Sequence, residues 1–209
     1  MTDKKDTVDS LSGLLKNADM LPLTERAILF ATVRHAGVER KGMTVPYIAH
    51  VMEAMEIVSH ITDDHIIRAA AVLHDTLEDT DTTATELTEL FGEWVTELVL
   101  SASEDKREGQ PAEATWKIRK EETLKHLKTE GTPAKTVALG DKLSNIRAIR
   151  RDLEEFGDSL WNRFNQRDPA QQAWYYRGIA EIFEADETLA KTPAVREYRR
   201  LVDEVFPEG

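Results

Sequence analysis

The chain has 209 residues, 41% of them hydrophobic and none of them cysteine, and 27 Lys and Arg against 39 Asp and Glu give it a net charge of −12. This length and composition fit one folded domain with a substantial core and exclude a disulfide-stapled scaffold. No apolar run approaches the roughly 20 residues needed to cross a bilayer, and the acidic balance argues against general nucleic-acid binding, which neutralises phosphates with Lys and Arg.

Residues 1–20 are polar and weakly periodic and read as an arm or a short covering helix, with residues 21–209 as a single domain. No apolar signal core follows Lys4 and Lys5, so a cytoplasmic location is expected. LTERAILFATVRHAG predicts a first core helix, with Thr24 as N-cap, a stripe through Ile28, Leu29, Ala31, Thr32 and His35, and Gly37 as its end. The loop VERKGMTVP carries the basic pair Arg40 and Lys41. YIAHVMEAMEIVSH then resumes helical spacing through Ile48, Met52, Met55 and Val58 and places His50 on the second helix.

IIRAAAVL predicts a core helix whose last turn carries His74 and Asp75. The following residues, Glu78, Asp79 and Asp81, add carboxylates that would repel Asp75 and one another unless a cation screened them. Thr83 and Glu86 form a capping-box pattern for TATELTELF, closed by Gly92, and GEWVTELVLSAS continues as a further helix. SEDKREGQPAEA, with Gly109 and Pro111, reads as a mobile loop holding Lys106 and Arg107. ATWKIRKEETLKHLKTEG is a charged amphipathic helix. TPAKTVALGDKLSNIRAIRRDLEEFG opens on Thr132 as N-cap before Pro133, and its interior places Asp141 and Asn145 on one face. SLWNRFNQRDPAQ is irregular, and AWYYRGIAEIFEA and TPAVREYRRLVDEVF complete the helices. Trp94, Trp161 and Trp174 are expected as core anchors. With no alternating strand pattern or hairpin signal, the fold is predicted all-α, a bundle of roughly eight to ten helices.

Histidine nitrogen mixed with carboxylate oxygen suits a metal used in phosphate chemistry. His74 and Asp75 offer such a pair, but neighbours on a regular helix point about 100° apart, so both reach one ion only near a helix end. Further ligands must come from other helices. Asp141 interrupts an apolar run, where a carboxylate needs a metal or a salt bridge to Lys142 or Arg147.

The order His50, His74 with Asp75, and Asp141 resembles the HD metal-dependent phosphohydrolase superfamily. It is closer still to the alarmone hydrolase branch, the small stand-alone relatives of the hydrolase domain in bifunctional Rel/SpoT enzymes. ERKG ahead of VPYIAH, then AAAVLHDTLEDTDTT, EDK and GDKLSNIRAI follow in that branch's order, across about residues 21–185. The resemblance implies an HD-type helical bundle that hydrolyses (p)ppGpp at its 3′-pyrophosphate to GDP or GTP and pyrophosphate, usually with one Mn²⁺. It implies His50, His74, Asp75 and Asp141 as metal ligands and Glu78 and Asp79 as the catalytic acids, either of which could be the base. Arg40 would stack on the nucleobase and Lys41 contact phosphate, with Asn145, Lys106 and Tyr175 as further substrate contacts. No membrane or nucleic-acid partner is implied, and no synthetase segment lies within these residues, so hydrolysis alone is expected. Other outcomes of the same chemistry are an HD phosphohydrolase for (p)ppApp or a deoxynucleotide, and a non-catalytic sensor of metal and nucleotide. The chain departs from the branch at Val51, where proline is common, at Gly140, where alanine is usual, and at Gly42 in a slightly short loop.

Overall fold

The computed structural model describes residues 21–107 and 109–207, so the arm expected at 1–20 lies outside the described residues. The helices in chain order are α1 (Leu23–Arg34), α2 (Ile48–Ser59), α3 (His65–Leu73), α4 (Thr76–Asp79), α5 (Ala84–Phe91) and α6 (Glu93–Ala102). They continue as α7 (Ala112–Thr129), α8 (Thr132–Phe156), α9 (Pro169–Ala185) and α10 (Pro193–Val205), with 3₁₀ segments at Gly157–Arg163 and Leu189–Lys191. The all-α expectation holds among the described residues, where the extended pairing is one isolated bridge from Glu39 to Pro46. No helix there is long and apolar enough to cross a membrane.

Local chemistry explains most boundaries. Thr83 caps α5 by accepting from the Glu86 N–H, Asp64 caps α3 through Ile66, and Thr192 caps α10 through Val195. Two expected caps are corrected. Helix α1 is entered from Pro22, and Thr24 is buried inside its first turn, while Gly131 precedes α8 and Thr132 already belongs to it, donating to Asp186. The buried faces also shift. Helix α1 buries Thr24, Ala27, Phe30 and Ala31 and leaves Leu29 46% exposed, and α2 buries His50, Val51, Ala54, Ile57 and Val58 rather than centring on Met52 and Met55. Trp94 is 72% exposed and is no core anchor, whereas Trp161 is buried.

Two hydrophobic clusters organise the packing. One gathers α1, α2, α3, α5 and α6 around Phe30, Val51, Leu73 and Val99, and the other gathers α7 to α10 around Trp116, Ile146, Ile179 and Tyr198. The 25-residue α8 joins them, giving Val137 to the first and Leu139, Leu143 and Ile146 to the second. It packs most extensively on α2. Gly140 makes that approach possible, because a Cβ there would stand 2.6 Å from the Ala54 carbonyl oxygen and 2.8 Å from a Val58 methyl. Backbone contact this close brings Asp141, the next residue, up to the helix that carries His50.

Candidate active site

The centre of the site is assembled where three chain segments meet. His50 comes from the buried face of α2. His74 and Asp75 occupy the break between α3 and α4, with Asp75 at φ −96° and ψ 0°. Because the helix stops there, two adjacent side chains can turn to one point, which an uninterrupted helix forbids. Asp141 arrives from α8. One ligand atom from each of His50, His74 and Asp141 lies within 4.8 Å of the others. Asp75 Oδ2 completes the group, 3.0 Å from His74 Nε2 and 3.5 Å from His50 Nε2.

The surrounding hydrogen bonds fix which atoms face inward. His74 Nδ1 is 2.8 Å from the Ala71 carbonyl, which can only accept, so Nδ1 carries the proton and Nε2 turns its lone pair to the centre. His50 Nδ1 is 2.8 Å from Ser144 Oγ, and Ser144 donates onward to Glu53, so the same tautomer is set through a relay. Tyr47 donates to Asp75 Oδ2 at 2.6 Å, Lys142 donates to Asp141 Oδ2 at 2.6 Å, and Asn145 donates to Asp141 Oδ1. Of the two partners foreseen for Asp141, Lys142 is the one used. Arg147 pairs with Glu197 and Glu53 instead.

Imidazole lone pairs aimed at carboxylates repel unless positive charge lies between them. His74 Nε2 is buried and makes no hydrogen bond. Burial disfavours a proton on this ring, yet Asp75 and Asp141 hold its pKa well above the ordinary value. Burial likewise opposes charge on both aspartates, but His74 and His50 hold Asp75 low, and Lys142 with the histidines holds Asp141 low. The centre is therefore built for positive charge, and its two nitrogens and two carboxylates fit a divalent cation.

A cavity of about 420 Å³ opens from this centre, lined among others by Tyr47, Glu78, Asp79, Lys106, Arg119 and Lys120. Glu78 accepts the Glu104 backbone N–H at 2.6 Å, and burial, reinforced by Asp75, pushes its carboxyl up to about 7. Asp79 receives Lys106 Nζ at 2.6 Å, and the same ammonium donates to the Glu78 carbonyl. The Glu104 side chain ties this loop to α7 through Arg119, Lys120 at 2.9 Å and Thr123 at 2.8 Å. Beyond Asn145 a second, smaller cavity lies against Arg40 and Lys41. Arg40 donates to Asn145 Oδ1 at 2.8 Å and Lys41 to Asn165 at 3.1 Å. Tyr175 lines neither cavity and is 4% exposed, whereas its neighbour Tyr176 borders the second.

Sequence reasoning missed Tyr47, Ser144, Glu53 and Glu104. Tyr47 lies three residues before His50 and Ser144 three after Asp141, so helical spacing around each expected ligand was the available signal. Nothing local marks Glu53 or Glu104. His35, given no role from sequence, is buried beside the Tyr47 ring at 5.0 Å between centroids, with neither ring nitrogen hydrogen-bonded. Burial keeps its pKa below the ordinary value against the pull of Asp75.

A family model for the HD domain matches residues 27–170. The chain belongs to the HD-domain family. This HD-domain protein is 37% identical over 138 residues to guanosine-3′,5′-bis(diphosphate) 3′-pyrophosphohydrolase MESH1 of Danio rerio, an alignment covering 62% of this chain and 73% of the relative. Among solved structures, lmo0812 from Listeria monocytogenes EGD-e superposes with a TM-score of 0.67 at 29% identity, covering 76% of this chain and 99% of that one. A metazoan orthologue of SpoT, described as hydrolysing ppGpp and acting in starvation responses, superposes with a TM-score of 0.64 at 25% identity over 89% of this chain and 94% of its own.

Proposed function

We propose that this protein hydrolyses the 3′-pyrophosphate of (p)ppGpp, releasing GDP or GTP and pyrophosphate, with Mn²⁺ as the bound ion. The observation that carries this reading is the junction of a two-histidine, two-aspartate centre with Glu78, a buried carboxyl pushed up to about 7, in one cavity. The relationship to a pyrophosphohydrolase of this specificity supports it.

His50, His74, Asp75 and Asp141 would hold the ion. When bound, such an ion polarises a phosphoryl oxygen and acidifies water. The chain's own residues do the rest. Glu78 takes the proton from the attacking water as its oxygen adds to phosphorus, the bond from phosphorus to O3′ breaks, and the departing O3′ takes a proton from solvent to become the ribose 3′-hydroxyl. A carboxylate near 7 is matched to that task at neutral pH. The Glu104 N–H and Lys106 fix the direction of Glu78 and Asp79. Lys106 also brings positive charge to the rim where the pyrophosphate leaves, and Asn145 and Arg40 form the wall on the nucleoside side.

The test is pyrophosphate release from ppGpp with Mn²⁺, with the nucleotide product separated by chromatography. The expected products are GDP and pyrophosphate, and a Glu78→Gln with Asp79→Asn double variant should release neither. Intact ppGpp after prolonged incubation with the wild type would overturn the assignment.

A further inference from the structure

Resting on that reading, we propose that Asp152 is the residue by which this protein selects a guanine base, through the N1–H and 2-amino edge. The cavity beside Arg40 has a volume of about 110 Å³, room for a flat heterocycle rather than a whole nucleotide. Met43, Ile149, Leu160 and Phe164 give it apolar walls, Arg40 supplies a planar cation, and Asp152 is the acid among its lining residues. A small slot with apolar walls, the guanidiniums of Arg40 and Arg163, the Lys41 ammonium and one carboxylate has the chemistry of a purine pocket.

Asp152 is only 6% exposed. Its Oδ2 accepts from Arg163 at 3.3 Å, while its Oδ1 is shielded from solvent and accepts no hydrogen bond, the nearest cation being Arg151 Nε at 3.6 Å. A buried carboxylate oxygen left without a donor is unfavourable by itself, and a ligand donor relieves the cost. The terminal torsion of aspartate is soft, so the carboxylate can turn an oxygen to the cavity while Arg163 retains it. Guanine offers two adjacent donors to such a group. Adenine offers the N1 lone pair and no donor at position 2, which sets acceptor against acceptor.

Position along α8 agrees with this assignment. Asp141, Asn145 and Asp152 recur at helical spacing, and eleven residues at 1.5 Å each place Asp152 about 16 Å along the axis from Asp141. After ion and hydrogen-bond lengths are allowed for, that separation suits a nucleoside whose 3′-phosphoryl group lies at the metal centre and whose base edge lies at Asp152. Gly42, at φ +75°, lets the Arg40 loop close on this wall. A Cβ there would be 3.0 Å from Arg163 Cδ, so the arginine that holds Asp152 also packs under the loop. Gly42 thus packs on the arginine that holds Asp152.

The experiment measures two quantities on the full chain: pyrophosphate release from ppGpp and ppApp, and calorimetric binding of GDP, ADP and IDP. Wild type should prefer GDP over ADP and bind IDP, which lacks the 2-amino group, more weakly than GDP. Asp152→Asn replaces one acceptor with a donor and should narrow the guanine-to-adenine ratio about tenfold or more in both assays. A purely structural role for the pair with Arg163 would weaken all the nucleotides alike and leave the ratio intact, and that result overturns the proposal. If Asp152→Asn does not fold, equal wild-type affinities for GDP and IDP overturn it equally. Loss of catalysis on every alarmone with a GDP preference that depends on Asp152 would sink the hydrolase reading and spare this one.

Discussion

At the residue scale, Glu78 and Ser144 make separable contributions to one centre. The Glu78 carboxyl is held at about 7 by burial and by Asp75, so the active, ionised form is lost as pH falls through that value. kcat/KM for ppGpp is expected to show an acidic limb near pH 7, and Glu78→Gln should lower turnover about 10²–10⁴-fold and remove the limb. The same shift acts on stability with the opposite sense. Between about 4.5 and about 7 the folded state keeps a proton that the unfolded chain has lost, so Glu78 makes stability fall as pH rises across that window. Glu78→Gln should flatten that slope in denaturant titrations. Ser144 never touches the centre, yet it accepts from His50 and thereby selects the ring nitrogen that faces inward. Ser144→Ala is expected to weaken Mn²⁺ affinity about 10–100-fold, as read by metal titration, with the helical spectrum unchanged. The principal acids were legible in the sequence because they broke a local rule: Asp141 interrupts an apolar run, and Asp75, Glu78 and Asp79 crowd together. Glu104 and Asp152 broke none, since an acid in a loop or a charged helix is ordinary until folding buries it.

At the element scale, helix existence and order followed from periodicity, while entry points and buried faces depended on neighbours. Thr83 was readable because its cap is a contact within four residues. Thr24 and Thr132 had the right chemistry in the wrong place, since Pro22 and Gly131 supply the extended residue that begins each helix. The buried face of α2 rotated away from Met52 and Met55 because α8 approaches from the side of Ala54 and Val58. That approach tests cleanly. Gly140→Ala removes no contact and favours helix by intrinsic propensity, but it forces a methyl group against a carbonyl oxygen. We expect a net loss of about 1–3 kcal/mol in denaturant unfolding, together with weaker metal binding as Asp141 is pushed from His50. A stabilised variant would show that α2 and α8 have room to separate.

At the scale of the whole molecule, the centre ties together residues from His50 to Asp141 and two hydrophobic clusters that share α8 and, through Ile57, α2. An ion bound only by the folded chain stabilises it by mass action, about 2.7 kcal/mol at a hundredfold excess over its dissociation constant. Chelation should therefore lower Tm by several degrees in calorimetry, and a His74→Ala variant should show no such dependence on metal. The ordered motif named the four residues of this link, but the helix packing that brings them within reach of one another resides in no local pattern.

The double membership of α8 has a further consequence, for motion. Its inner amides cannot open to solvent without disrupting Val137 on one side and Leu143 and Ile146 on the other, so hydrogen exchange there should proceed only through global unfolding. Asp141, Asn145 and Asp152 would then stand on the slowest-exchanging part of the fold. Adjustment to an entering nucleotide falls to the segments 40–45 and 103–107, whose amides should gain protection on binding while those of α8 stay as they were.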